Sequence, residues 1–390
     1  MSLIKNGYLM SSDSIVGTVN DDIVTVTDKA RAPLFFDTVS DISIWLKDRT
    51  IDTTRAHSRA LRRVCRILNR TEAEIALYFH GKVVTDNYWV KASDEDITYK
   101  DVDFISDELF ELALLGDLSY LSPAEDPRKS PQMMVNGSLE KGWKFDNNGW
   151  CLYKAENNTE KFNELFCMEV SRMLNIPTAT YEVTESGVKS PNFCEQYDEP
   201  VNFEDMEGLV GDNWTDYSYC FSTLNDTLGL QCAEQYLSLI YFDGVVRNVD
   251  RHSHNLGILR NAKSGELIGI APNYDYNQSL FGNSSITNPR ISKSDLLTDD
   301  FLDLMEDLID KGIVKQYPYP DDVLSIDKIK AQTEYIKDLK LVSDEVYDKA
   351  VELVSERQRY LHSKIDIYLS KQKEPEEPSR ESDDEPYIGL

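Results

Sequence analysis

At 390 residues, 41% of them hydrophobic and 10% aromatic, the chain has apolar surface enough for folded cores and length enough for two or three units. A net charge of −28 opposes general affinity for nucleic-acid phosphates and for anionic membranes, so direct nucleic-acid or membrane partners are not expected. No apolar run approaches the ~20 residues of a membrane helix. The amino terminus carries neither signal nor transit pattern, and the six scattered cysteines form no C-x-x-C pair; reduced thiols and a cytoplasmic location are expected.

In chain order, residues 1 to about 50 read as short strands and loops, with "DDIVTVTD" alternating as a strand does. "RAHSRALRRVCRILNR" places Leu61, Val64, Cys65 and Leu68 at helical spacing with six arginines and no acid. Such a basic helix suits nucleic acid or a partner protein, or else packs against the acidic segment 94–117, the more ordinary outcome for a charge run. Thr71 and Glu74 form a capping box for the helix that follows. From 131, "PQMMVNGSLEKGWKFDNNGWCLYKAEN" reads as consecutive strands, with "NGS" and "DNNG" as turns. The next segment puts Phe162, Leu165, Phe166, Met168, Val170, Met173 and Leu174 mostly on one side of a helix. The strand-like "ATYEVTES" and "GVKSPNF" follow.

Beyond 194 helices dominate. "LQCAEQYLSLIYFDGVVRN" sets Leu230, Ala233, Leu237, Ile240 and Val245 near a buried stripe and leads into "RNVDRHSHNLG". "GILRNAKSGELIGIAPNYD" reads as a hairpin, and a long amphipathic helix spans about 344–369. The last residues, "KQKEPEEPSRESDDEPYIGL", are charged, proline-rich and too poor in apolar groups to pack, which predicts disorder.

"RNVDRHSHNLG" holds two of the five histidines. An H-x-H pair is a weak zinc pattern, and further ligands at suitable spacing are missing. A hydrolase would need a nucleophile elbow, and no G-x-S-x-G occurs. A polar loop with merely structural histidines is the bland alternative. Asp250 and Asn255, however, are followed by Asp275 after an apolar strand and preceded by Lys154 at the end of another. That ordered set matches the needs of phosphoryl transfer: a cation for nucleotide phosphates, a carboxylate for the attacking hydroxyl, and oxygen ligands for magnesium.

At these residues, N-x-D-R-H-x-x-N followed by A-P-x-Y-D, the sequence resembles the HipA-like serine/threonine kinases, distant relatives of the phosphatidylinositol 3- and 4-kinases. The specific motifs lie within about 130–330, with looser similarity upstream in "SIWLKDRTIDTTRAHSRAL" and "DNYWVKASDEDITYKDVDF". The resemblance implies an α+β, bilobed protein-kinase-like fold behind a small amino-terminal module. Its expected parts are an accessory module at 1–125, an α+β N-lobe at 126–193, a mostly helical C-lobe at 194–370 and an acidic tail at 371–390.

It further implies ATP and Mg2+ as cofactors, Asp250 as catalytic base and His252 shaping the loop beside the transferring phosphate. Asn255 and Asp275 fall at the magnesium positions and Lys154 at the nucleotide-phosphate position. Glu164 either holds Lys154 or is an ordinary surface glutamate. Asn136, Gly137 and Ser138 sit where a phosphate-covering loop belongs, and backbone near Ser190–Phe193 would take the adenine. Autophosphorylation near that loop, at Ser138 or Ser130, is a further implication. The expected acceptor is a protein serine or threonine, with an antitoxin-like regulatory protein as candidate partner. A small-molecule or lipid kinase and a non-catalytic kinase-like protein are the alternatives. Two departures stand out: Asn277 occupies a position where related sequences often carry glycine, and the amino-terminal region does not clearly match the HipA that acts as a toxin.

Overall fold

The computed structural model describes residues 2–119, 126–146, 149–281, 293–317, 319–320 and 322–371. Strands β1 (Asn6–Ser11), β2 (Ser14–Asn20) and β3 (Ile23–Val26) form a meander, and β4 (Tyr88–Ala92) joins its other edge, giving the order β3-β2-β1-β4. Short helices α1 (Ile42–Lys47), α2 (Ser58–Val64), α3 (Glu72–Tyr78), α4 (Tyr99–Val102) and α5 (Phe110–Leu115) complete this part. Thr71 and Glu74 cap α3 reciprocally. Leu9, Val19, Ile42, Leu61, Ile75 and Leu112 share one apolar core.

The basic segment differs from expectation. Its helix begins only at Ser58 and ends at Val64, and Arg66 takes a positive φ of 61°, which stops propagation. Leu68 lies exposed. The helix packs on α5 through Leu61, Cys65, Leu112 and Ala113. Among the described residues no ion pair links its arginines to the acidic segment, so this contact is apolar.

The second sheet, ordered β5-β6-β8-β7, comprises β5 (Lys141–Asp146), β6 (Gly149–Ala155), β7 (Glu182–Val183) and β8 (Gly187–Pro191), with α6 (Asn158–Met173) between β6 and β7. The expected strand before β5 is absent: Pro131–Met133 is a 3-10 turn, favoured by proline's fixed φ and missing N–H. Gln132 replaces the strand. Its amide accepts from Trp143 N at 2.9 Å and donates to Trp143 O at 2.6 Å, satisfying the open edge of β5. The "DNNG" turn falls partly outside the described residues. α6 carries the expected apolar positions but is buried continuously from Lys161 to Ser171, polar residues included, so it runs through the interior.

Next come β9 (Val201–Asp205), α7 (Glu207–Val210), α8 (Tyr217–Leu228), α9 (Leu230–Val246), β10 (Gly257–Asn261) and β11 (Leu267–Ile270), with sheet order β11-β10-β9. β10 and β11 are the expected hairpin. α9 is buried on all sides over its second half, whereas Leu230 at its start is exposed, because two other helices, α10 (Lys293–Asp310) and α12 (Asp344–Lys371), pack on it. α11 (Ile326–Asp338) packs on α6 and α12. The acidic tail beyond Lys371 lies outside the described residues. Among the described residues all pairings between the named strands are antiparallel. All six cysteines are buried and free, and among the described residues no helix is long and apolar enough to cross a membrane.

The amino-terminal part is tied to the third sheet by a buried carboxylate. Glu204 of β9 accepts from Leu34 N at 2.6 Å and Tyr88 Oη at 2.7 Å, and Arg260 of β10 lies 3.4 Å away while donating to Ala32 O. Phe203 N donates to Thr85 O at 2.9 Å. This clamp fixes residues 33–49 and 83–88 beside the segments that carry the candidate site.

Candidate active site

A cleft of about 680 Å³ lies where these parts meet. Lys154, Asn136, Gly137, Ser138, Asp250, His252, Asn255 and Asp275 all line it, as do Ser190, Pro191, Asn192 and Phe193. Its size is that of a site for a small-molecule or nucleotide ligand.

Lys154 is the penultimate residue of β6 and is 6% exposed. Its Nζ donates to Glu164 Oε1 and to Asp275 Oδ1, each at 2.8 Å. Burial opposes the lysine's charge, but Asp275 and Glu164 outweigh it and hold its pKa well above the ordinary value. Burial likewise opposes the charge on Asp275, while Lys154 and Lys141 bring it down to about 2. Glu164 is fully buried on α6, and its second oxygen accepts from Tyr276 N at 2.9 Å. One helix carboxylate thus holds both the lysine and the segment bearing Asp275. Glu156, 4.0 Å from Lys154, is pushed by burial and by Glu164 up to about 9 and carries a proton at neutral pH.

Asp275 itself occupies the left-handed region at φ +64°, tolerable for aspartate but in need of support. That support comes from α6, where Asn163 Nδ2 donates to Asn277 O at 2.8 Å and Ser279 O at 3.0 Å. Asn277 is not left-handed; Asp275 takes that conformation.

The loop after α9 is braced from below. Arg251, 8% exposed, forms a two-pronged pair with Asp243 of α9 at 2.8 and 2.9 Å. It also donates to Asn255 O, to Tyr274 O at 3.2 Å and to Asn273 Oδ1 at 2.9 Å. A single guanidinium thereby joins the loop of Asp250 to the segment of Asp275. Asn248 adds a bond to Asp243 at 3.0 Å and accepts from Asp250 N at 3.1 Å. Asn255 Nδ2 donates to Asp250 O at 2.9 Å; since a carbonyl can only accept, this fixes the amide and leaves Oδ1 as its free oxygen. His252 accepts from His254 N, and burial lowers its pKa, both consistent with a neutral imidazole. His254 has no assigned role in the sequence motif, yet it bonds Asp205 at 3.1 Å, which raises it to about 9. Its carbonyl accepts from Tyr274 Oη at 2.7 Å.

The donor set suits magnesium. One carboxylate and one amide oxygen are hard ligands that leave positions for phosphate oxygens and water. Among the described residues no group of three or more His, Cys, Asp or Glu converges as a full protein cage would.

Sequence reasoning missed Lys141. It faces Lys154 across the β5–β6 pairing and lines the same cleft, with its Nζ against Gly137. Strand alternation puts directly paired residues on one face, so a second lysine opposite Lys154 was the available signal. Arg251 and Asp243 were also overlooked, because nothing in a linear motif shows which charges become buried. Of the two serines at or near the loop 136–138, Ser138 is exposed in the cleft, whereas Ser130 is 2% exposed and does not line it. Burial removes Ser130 as an accessible acceptor.

The family model described as HipA-like C-terminal domain matches residues 134–311, which contain every candidate residue above from Asn136 to Asp275. Residues 134–311 are a HipA-like domain. Among solved structures, a chain of the Shewanella oneidensis MR-1 toxin–antitoxin complex of HipA, HipB and operator DNA is similar to 93% of this chain over 97% of its own length. The TM-score is 0.55 at 13% identity. At that identity the likeness gives the fold, a kinase-like one, and it extends over the amino-terminal part as well as the HipA-like domain. The Helicobacter pylori proinflammatory kinase CtkA is similar at TM-score 0.42 and 16% identity, over 62% of this chain and 94% of its own, too low to argue from. No curated protein sequence matches the chain. Part of the cleft wall, including Phe35, Trp45, Asp48, Arg49 and Thr85, comes from outside the HipA-like domain.

Proposed function

We propose that the protein is a HipA-type kinase that transfers the γ-phosphate of Mg-ATP to a serine or threonine hydroxyl of a protein. The observation carrying this reading is the single cleft in which the Lys154–Glu164–Asp275 network and the braced Asp250–Asn255 loop line one space. In this reading Lys154 and Lys141 receive the nucleotide phosphates, and Asn255 Oδ1 and Asp275 hold the magnesium ion, whose charge neutralises the phosphates when bound. Asp250 orients the acceptor hydroxyl and takes its proton as the oxygen bonds to the γ-phosphorus. The bond from that phosphorus to ADP breaks, and its electron pair leaves with ADP. His252, neutral, offers its remaining ring N–H toward the transferring phosphate. The HipB-containing neighbour makes an antitoxin-like regulator the candidate partner, and Ser138 the candidate site of autophosphorylation.

Removing Lys154 would leave Glu164 and Asp275 buried without their shared cation. Lys154→Ala is therefore expected to raise the KM for ATP at least about tenfold, which is ~1.4 kcal/mol. An unaltered KM would take Lys154 out of the site.

Lys141 gives a pH signature. Burial pushes its ammonium down to about 8, with Asp275 partly opposing. The charge is present below that value and lost as pH rises through it, so ATP affinity should fall above pH 8, and the fall should vanish in Lys141→Met. Titration calorimetry across pH 7–9.5 measures this; identical alkaline limbs in both proteins would remove Lys141 from phosphate binding.

A further inference from the structure

The loop proposed to cover the nucleotide is held from outside the HipA-like domain. Arg55, in the turn before α2, is 3% exposed and reaches four consecutive-region carbonyls of this loop. Its Nε donates to Gly137 O at 2.7 Å and Nη1 to Lys141 O at 3.2 Å, while Nη2 donates to Val135 O at 2.6 Å and Asn136 O at 3.0 Å. The neighbouring residues grip the same segment. Thr50 Oγ1 and Ile51 N both donate to Met133 O, Asn136 Nδ2 donates to Asp48 O, and His57 N donates to Glu140 Oε1.

In a trans peptide the carbonyl and the following N–H point in opposite directions. Drawing the carbonyls of Val135 and Gly137 onto Arg55 therefore turns the N–H groups of Asn136 and Ser138 away from it. Neither N–H has a hydrogen-bond acceptor among the described residues, and both residues line the cleft. Gly137 N between them donates to Asn136 Oδ1 at 2.6 Å, and the two free amides on either side of it, with their carbonyls tied behind them, form a donor surface suited to phosphate oxygens. Gly137 at φ +102° supplies the backbone conformation this needs, and Lys141 Nζ fills the space where a Cβ would stand.

We propose that Arg55 is a positioning residue of the nucleotide site: by collecting the loop carbonyls it presents the loop amides to the nucleotide's phosphates. The residues before 134 are then a working part of phosphate binding. The proposal rests on the nucleotide reading of the cleft. It also gives Arg55 a role apart from the basic helix, which begins only at Ser58.

The test compares ATP, ADP and adenosine binding by the full chain with Arg55→Ala and Arg55→Lys. A loop that holds phosphates should lose affinity in proportion to phosphate content. ATP affinity is expected to fall tenfold or more in Arg55→Ala and by a smaller factor in Arg55→Lys, while adenosine affinity stays within twofold of wild type. Millimolar guanidinium should restore part of the ATP affinity of Arg55→Ala and none of it in wild type. Equal losses for adenosine and ATP would assign Arg55 a purely structural role and overturn the proposal, as would unchanged ATP affinity. Wild-type protein that binds adenosine no worse than ATP would overturn the nucleotide-phosphate reading itself. Should neither variant fold, amide exchange at 136–139 in wild type decides: slowing by ATP but not by adenosine supports the donor surface, and equal exchange in both overturns it.

Discussion

Replacement of Asp275 by alanine is expected to reduce phosphate transfer at saturating ATP by about a thousandfold or more, the scale of losing a charge that the transition state requires. Three features make this carboxylate the most sensitive point of the site. Among the described residues two acids bond directly to Lys154, and of these Asp275 reaches the cleft whereas Glu164 is wholly enclosed. Lys154 and Lys141 keep it ionised down to about pH 2, so it stands ready as a metal ligand throughout the working range. Its left-handed backbone is held by Glu164 at Tyr276 N and by Asn163 at Asn277 and Ser279, so its position is set by α6 and not by its own side chain. The variant should therefore keep its fold, with Lys154 still paired to Glu164. Single-turnover rates, read beside thermal melting, measure the effect, and a rate within threefold of wild type would remove Asp275 from the chemistry.

The second large effect concerns stability. Arg251→Met leaves Asp243 as a buried, uncompensated charge and frees the carbonyls of Asn255 and Tyr274. Breaking a buried pair from one side costs about 3–5 kcal/mol, a large share of the ~5–15 kcal/mol that typically separates folded from unfolded protein. The pair is only 5% and 7% exposed at its side chains, so solvent offers little relief. Asp243→Leu combined with Arg251→Met removes both charges and should recover part of the loss. Urea denaturation of the two single variants and the double variant gives the comparison. A cost below about 1 kcal/mol for Arg251→Met would mean that the loop and the Asp275 segment are not joined through this guanidinium.

The α+β character was legible wherever periodicity and turn chemistry act locally. The capping box of α3, the hairpin of β10 and β11, and the long α12 follow from spacing alone. The candidate residues were legible because a kinase-like site draws its parts from a fixed order along the chain, and Lys154, Asp250, Asn255 and Asp275 keep that order. What stayed hidden depends on tertiary partners. Gln132 acts as a strand substitute because its amide meets Trp143, and Pro131 alone could not reveal that. Arg55 reads as one charge of a basic helix until the loop at 135–137 is placed beside it. The all-round burial of α6 and α9 comes from helices far along the chain, which no single-face pattern anticipates. The left-handed backbone of Asp275 was equally hidden, because the hydrogen bonds from Asn163 and Glu164 that hold this segment come from a helix more than a hundred residues earlier.

The most direct measurement is transfer of label from γ-phosphate-labelled ATP, with magnesium, to proteins of a cell extract and to the chain itself, for wild type and Asp250→Ala side by side. In the proposed reading Asp250 accepts the proton of the attacking hydroxyl and is no metal ligand, so its loss isolates the transfer step from nucleotide binding. The expected result is label on serine or threonine with wild type, at background level with Asp250→Ala. Equal labelling by the two proteins, or no labelled protein with wild type, would contradict a HipA-type protein kinase acting through Asp250.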